Sequence, residues 1–233
     1  MHKKRGLYCF TPTVMVLTFI MESVLAAYVW FRYRATAFGR LSVVVLLFLA
    51  AFQLAEYQIC TGNADLMWAR IGHVAITMLP AFGLHLLSMA TGKKHFLAAG
   101  YAIALFFVFY FLLAPGAITN IVCGGNYIIF EAPIWVHGVY FLYYIGFLLI
   151  GIWEALEQIF EIKKRFAGRR AIFYLFIAGY LSFMLPMAVA LLLIPSTRQA
   201  ITSIMCGFAL IFAFLLAFKI APLYHKKYGR HSS

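Results

Sequence analysis

Polar and ionisable side chains are sparse in this chain, so their positions decide which chemistry is open to it. The stretch 56–73, "EYQICTGNADLMWARIGH", carries Glu56, Gln58, Cys60, Asp65, Arg70 and His73 inside an otherwise apolar sequence. At helical spacing Gln53, Glu56 and Cys60 share one face, Arg70, His73 and Thr77 share a second, and His137, Tyr140 and Tyr144 share a third. Residues of these types suit recognition of a small molecule. Arg70, His73 and His137 would receive a polar or anionic headgroup, Gln53 and Glu56 would add hydrogen bonds, and Trp68, Tyr140 and Tyr144 would form an aromatic wall. The same residues also admit a purely structural reading. Ionisable groups within a membrane need partners, and Glu56 and Arg70, separated by a short loop, would pair as a bridge between two helices. A third option has Arg70 reaching the lipid headgroups. Glu22 falls midway along the first apolar segment, where it needs a hydrogen bond to a neighbouring helix or takes part in moving a proton.

Other chemistries find no support. Asp65 is the sole aspartate, and cysteines 9, 60, 123 and 206 form no CxxC pair. Histidines 73, 85, 95 and 137 lack the i, i+4 spacing of a zinc site, and a haem held between His73 and His137 has nothing further behind it. No glycine-rich nucleotide loop or nucleophile–base motif is present. The last apolar segment carries only Lys219, at its end, so no retinal Schiff base forms there. The expectation is a protein that is not an enzyme and holds neither metal nor cofactor.

The elements that position these residues follow from composition. The 233 residues are 65% hydrophobic and 11% charged, against about 25% charged in a soluble domain. The chain therefore reads as an all-α integral membrane protein, a single domain 1–233 forming a seven-transmembrane helix bundle. A span needs about 20 apolar residues, and the expected spans are 11–31, 41–60, 67–90, 96–114, 134–159, 171–194 and 198–219, separated by Gly- and Pro-containing gaps. Seven spans place five Lys and Arg residues on one side (Lys3, Lys4, Arg5, Arg70 and Arg198) and the other fourteen on the opposite side. The positive-inside bias then puts the N-terminus outside and the C-terminus in the cytoplasm. A competing view of the first segment as a cleaved signal peptide is opposed by that count and by Glu22. The net charge of +12 fits loops lying against anionic lipid, with no role for nucleic acid.

Three further expectations concern local structure. The fifth helix runs past the bilayer, leaving Glu154, Glu157 and Glu161 as a solvated end, with Glu161 and Arg165 four apart in the order that favours an ion pair. Pro80 and Pro186 loosen helices three and six. Cys60 and Cys123 are candidates for a disulfide over the proposed site, although Cys9 is also near that surface, and Cys206 reads as a small apolar filler. With this orientation the three polar faces lie mainly in the outer half, above small or apolar residues, as in a cleft open to the outside with a packed floor.

Several motifs carry a family likeness. They are "LAEYQICTGNADLMWARIGHVAITMLPAFGLHLLSMATG", with an acid near the end of helix two, Trp-x-Arg opening helix three, Pro-x-Phe mid-helix and Thr-Gly closing it, then "PIWVHGVYFLYYIG", a basic loop and a Pro-containing helix six. Over residues 7 to 222 the chain resembles the N-terminal seven-transmembrane sensory region of membrane-bound histidine kinases. The resemblance implies a receptor-like input module of a bacterial or archaeal plasma membrane, with Glu56, Trp68, Arg70, Pro80 and Phe82 at matching positions. Only "PLYHKKYGRHSS" follows helix seven, with no phospho-acceptor helix or ATP-binding domain. The expectation is a stand-alone sensory module that binds a small or amphipathic ligand in an outward-facing cleft and signals through a separate cytoplasmic protein. Membrane lipids and a second copy of the chain are its other expected partners. The rivals are a small membrane transporter or ion pathway, built around Glu22, and a structural subunit of a membrane complex.

Overall fold

The computed structural model describes residues 11–63, 65–123, 128–131, 133–161, 167–193 and 201–228. Eight helices and one hairpin account for nearly all of them. α1 (Pro12–Tyr33) starts with proline in its first turn, where a missing N–H costs nothing. α2 (Ala37–Cys60) is capped by Thr36, whose side chain accepts from Gly39 N. α3 (Leu66–Thr91) is capped by Asp65 and ends at Gly92, which takes the left-handed conformation at φ +80°. α4 (Leu97–Leu113), α5 (Ile134–Glu161), α6 (Ala167–Leu193) and α7 (Ile201–Leu215) follow. Pro80 and Pro186 lie inside α3 and α6, and both helices continue through them.

Six helical segments are long and apolar enough to cross a membrane, and α4, with 17 residues, is shorter. Its length, about 25 Å at 1.5 Å per residue, falls below a hydrocarbon thickness of about 30 Å. The chain is thus an all-α, multi-pass integral membrane bundle. Its element boundaries fall within a few residues of the expected spans, except at the C-terminal end. There the helix expected to stop at residue 219 continues as a π-helical turn (Leu216–Ile220) and then α8 (Ala221–Tyr228). Ala221 N–H bonds to Leu216 O, five residues back. Pro222 explains the bulge: its ring crowds the carbonyl four residues earlier and it has no N–H to offer, so the helix widens just before it and carries on. The loop expected between helices four and five contains a short antiparallel hairpin, β1 (Asn120–Cys123) and β2 (Ile128–Glu131), with Ile121 opposite Phe130.

Side-chain contacts define two ends. At one, Cys60 of α2 is joined to Cys123 of β1 by a disulfide. The sequence left this pairing open; Cys9 lies outside the described residues. At the other end, Phe38 stacks on Tyr224 at 4.0 Å, and the Tyr33 ring lies 5.7 Å from His225. Tyr224 and Tyr228 donate to the carbonyls of Met89 and Ala90, and Arg169 Nε donates to the Tyr228 hydroxyl at 2.9 Å. The starts of α2 and α6 and the ends of α1, α3, α5 and α8 therefore meet there, bringing Arg34, Arg40, Lys93, Arg169 and Lys227 to one side.

The acidic end of α5 is not the freely solvated tail that its sequence suggested. Lys93, just past α3, bridges Glu157 at 3.0 Å and Glu161 at 3.1 Å. Glu154 is buried, and Arg165, the partner expected for Glu161, lies outside the described residues. The reason is geometric: α3 packs on α5, which carries the lysine to the carboxylates. Hydrogen bonds that Lys93 donates to Glu157 and, next in weight, to Glu161 raise its pKa. A raised lysine pKa means that the contribution to stability is complete below the unfolded value, about 10.4, and is lost as pH rises through the folded one. Wild-type protein in detergent should therefore lose more melting temperature above about pH 10 than Lys93→Met does. Parallel alkaline melting curves check this, and identical slopes would remove the contribution assigned to Lys93.

Candidate functional site

The site begins with one face of α2. Val45, Leu49, Gln53 and Glu56 fall at i, i+4, i+8 and i+11, so they stack along the bundle interior, apolar below and polar toward the disulfide end. Gln53 and Glu56 are 2% and 3% exposed. From α1, Glu22 is fully buried, and neither of its carboxyl oxygens has a hydrogen-bond partner; nor has Gln53 Nε2. Glu22 and Glu56 are close enough to interact electrostatically, and both act on Cys206 of α7. Among the described residues, the hydrogen bond to a neighbouring helix expected for Glu22 is not formed.

α3 and α5 complete the polar layer. His73 donates from Nδ1 to Ala69 O at 3.0 Å, and its ring lies 4.4 Å from Phe111. Thr77 Oγ1 and the Tyr140 hydroxyl share a hydrogen bond of 3.1 Å, and the Tyr143 hydroxyl donates to Thr77 O at 2.6 Å. Pro80 accounts for the second bond. Proline cannot bond Ile76 O and crowds the preceding turn, and Tyr143 brings a donor to the adjacent carbonyl.

Below this layer is a small apolar cavity of about 40 Å³, bounded by Leu49, Leu79, Tyr144, Phe183, Cys206 and Phe212 among others. One water needs about 10–15 Å³ of such space and two or more polar partners, so this lining favours an apolar group over water. Tyr180 forms one wall and is clasped by glycines. A Cβ on Gly83 would strike the Tyr180 hydroxyl, and a Cβ on Gly151 would come within 2.8 Å of the Tyr180 ring edge.

The structure therefore gathers Gln53, Glu56, His73, Tyr140 and Tyr144 of the candidate ligand set in the interior, but it departs from expectation in three ways. First, Glu56 and Arg70 form no ion pair. α3 meets α2 through Gly72, which faces Phe52 and Ala55; Arg70, two residues earlier and about 200° around the helix, points away and stays half-exposed. Trp68 is likewise only half-buried, packed on the rim of the core. The His137 side chain lies outside the described residues. Second, on the side between α4 and α5 the expected cleft is walled off among the described residues. Phe107 and Phe111 of α4 pack edge-on to Tyr140 at 5.2 and 5.5 Å and fill the gap between α4 and α5. Third, the sequence reading omitted Tyr143, which shares a face with Tyr140 at i, i+3 and is buried. Pro80, with its disturbed turn, was the available signal that a donor was needed there. Among the described residues, no group of three or more His, Cys, Asp or Glu side chains gathers to hold a metal ion.

These features belong to a multi-pass membrane bundle with a buried polar layer above an apolar cavity. No protein-family model matches the chain, and no curated protein matches it.

The glycine clasp makes a specific prediction. Gly83→Ala should cost about 1–3 kcal/mol as an overpacking substitution. Tyr180→Phe should restore most of that loss, because the next atom is 3.4 Å from the new methyl. Gly151→Ala should not be rescued, since its clash is with a ring carbon that phenylalanine keeps. Melting temperatures of the single and double variants decide this; equal rescue at both positions would contradict the clasp.

Proposed function

We propose that the chain is a receptor-like membrane sensory module with seven crossings, its disulfide end outside and its basic end in the cytoplasm of a bacterial or archaeal cell. A small amphipathic ligand binds within the polar layer and the cavity beneath it. Its unequal affinity for two arrangements of the helices shifts their populations, and the basic end passes the change to a cytoplasmic protein. One observation supports this reading: polar groups from α1, α2, α3 and α5 gather in the disulfide half, over an apolar cavity. The rod formed by α7, its π turn and α8 then runs from Cys206, at that layer, to Tyr224 and Tyr228 at the basic end. The five-to-fourteen division of positive residues supports the orientation, and the likeness to the sensory region of histidine kinases points to the same role.

A second reading, a transporter or ion pathway, is favoured by Glu22, because a buried and unpartnered acid halfway along a helix is costly to keep without a use. Against it, the cavity walls beneath the polar layer are apolar, and a translocation path needs polar groups at both levels.

A thermal-shift screen of small amphipathic compounds on the purified protein should return compounds that raise the melting temperature, and Gln53→Leu should cut that gain by at least half. A gain that survives Gln53→Leu would place the binding site elsewhere. Uptake of a hit into proteoliposomes that is lost in Glu22→Gln would make the chain a carrier.

A further inference from the structure

We infer that the apolar cavity binds a small uncharged molecule, a short-chain ketone or alcohol, whose oxygen is held by the Tyr144 and Tyr180 hydroxyls. The inference rests on reading the cavity as a ligand site, and goes on to say which chemistry fills it.

The cavity lies where α2, α3, α5, α6 and α7 meet, and each of them contributes to its wall. Protein interiors are normally packed as closely as organic crystals, so a void at the meeting point of so many helices asks for an occupant. Its wall carries two phenols, Tyr144 and Tyr180. Both residues are buried, and among the described residues neither hydroxyl makes a hydrogen bond. Their neighbours show what is missing. Tyr140 pairs with Thr77 Oγ1 and Tyr143 donates to Thr77 O, as buried tyrosines usually do. Tyr144, one turn beyond Tyr140 on α5, has no such partner. It is close enough to interact electrostatically with Cys206 and with Tyr180, both of the same wall. The Tyr180 hydroxyl stands where a side chain on Gly83, another wall residue, would be. The two phenols therefore serve one space.

Size and charge then select the occupant. One water takes about 10–15 Å³ of such space, so a cavity of about 40 Å³ has room for a body of several heavy atoms. Water beside the hydroxyls would leave the remaining wall, Leu49, Leu79 and Phe183 among it, facing nothing. A molecule with one oxygen on a short hydrocarbon body meets both parts of the lining at once. A carbonyl oxygen has two lone pairs, one for each phenol O–H. Among the described residues no charged side chain lines the cavity, and Glu22 and Glu56 stand outside its wall. An ammonium or carboxylate would therefore enter without a counter-charge, at a large desolvation cost. Because Tyr180 is clasped by Gly83 of α3 and Gly151 of α5, a ligand held by its hydroxyl acts on α3, α5 and α6 together.

Met205 belongs to the cavity wall and offers a direct test. Purified full-length protein with methionine methyl groups labelled for NMR is titrated with acetone and, separately, with isobutene. Isobutene has the shape of acetone with a methylene in place of the carbonyl oxygen. The Met205 methyl signal, identified by its loss in Met205→Leu, gives a Kd for each probe. Molecules this small bind at best with a Kd on the order of tens of micromolar, so the titrations extend into the millimolar range. Both probes should shift the signal to saturation. Tyr144→Phe combined with Tyr180→Phe should weaken acetone at least about tenfold and isobutene less than about twofold, since only acetone loses hydrogen bonds. Acetone that does not bind, or that the double substitution weakens no more than isobutene, would overturn the inference; saturable binding of isobutene would then leave the cavity standing as a ligand site. If neither probe shifts Met205, the inference fails together with the cavity's part in the sensory reading, and the polar layer is judged by the Gln53→Leu screen alone. Should the double variant not fold, Tyr144→Phe decides, with an expected loss of at least about threefold for acetone.

Discussion

The whole arrangement depends on one constraint: inside a bilayer, a polar side chain that is not turned toward other protein groups has nowhere favourable to go. The face of α2 formed by Val45, Leu49, Gln53 and Glu56 shows the constraint at work, because its polar half must find the interior and its apolar half must then be packed there too. Thr77, Tyr140 and Tyr143 obey it through hydrogen bonds to one another, using a carbonyl three residues before Pro80. Glu22 alone among these groups is buried with neither oxygen satisfied. A buried acid of that kind, with the Gln53 amide N–H also unpaired nearby, is where function is most reasonably sought.

The two ends of the molecule are built differently, and the difference gives the layer a direction. The disulfide ties α2 to the hairpin, so that end is fixed covalently. The basic end is held by weaker bonds that one element can make or release. Tyr224 and Tyr228 reach the last carbonyls of α3, Arg169 holds Tyr228, and Lys93 spans to α5. The π turn beside Pro222 breaks the regular bonding of the rod just before those contacts. A shift of α7 at Cys206 would thus be felt at tyrosine contacts that link α3, α6 and α8.

Much of the architecture was legible because membrane helices announce themselves by long apolar runs, and α1 to α6 begin and end near the expected positions. The C-terminal extension was not, since Pro222 and the charged "HKKY" look like a stop, and only the bulge lets the helix pass them. The hairpin was hidden in a loop whose Ile121, Val122, Ile128 and Ile129 mark two short strands in retrospect. For the site, helical spacing identified Gln53, Glu56, His73, Tyr140 and Tyr144 as sharing faces, but spacing gives no rotation of one helix against another. The Glu56–Arg70 pair failed for that reason: Gly72, the residue with no side chain, decides which side of α3 meets α2. The wall that Phe107 and Phe111 set between α4 and α5 was illegible for a related reason, because aromatic residues on so apolar a helix carry no periodic signal.

The central claim is that the polar layer is reached from the disulfide end and stops at the apolar cavity. Single cysteines at positions 45, 49, 53 and 56, in protein with Cys9 and Cys206 replaced by serine, can be tested in oriented proteoliposomes with a small membrane-impermeant thiol reagent applied from each side in turn. The account predicts modification at 56 and 53 from the disulfide side, falling away at 49 and 45, and none from the basic side. Modification at 45 from the basic side, or none at any position from either, would contradict it.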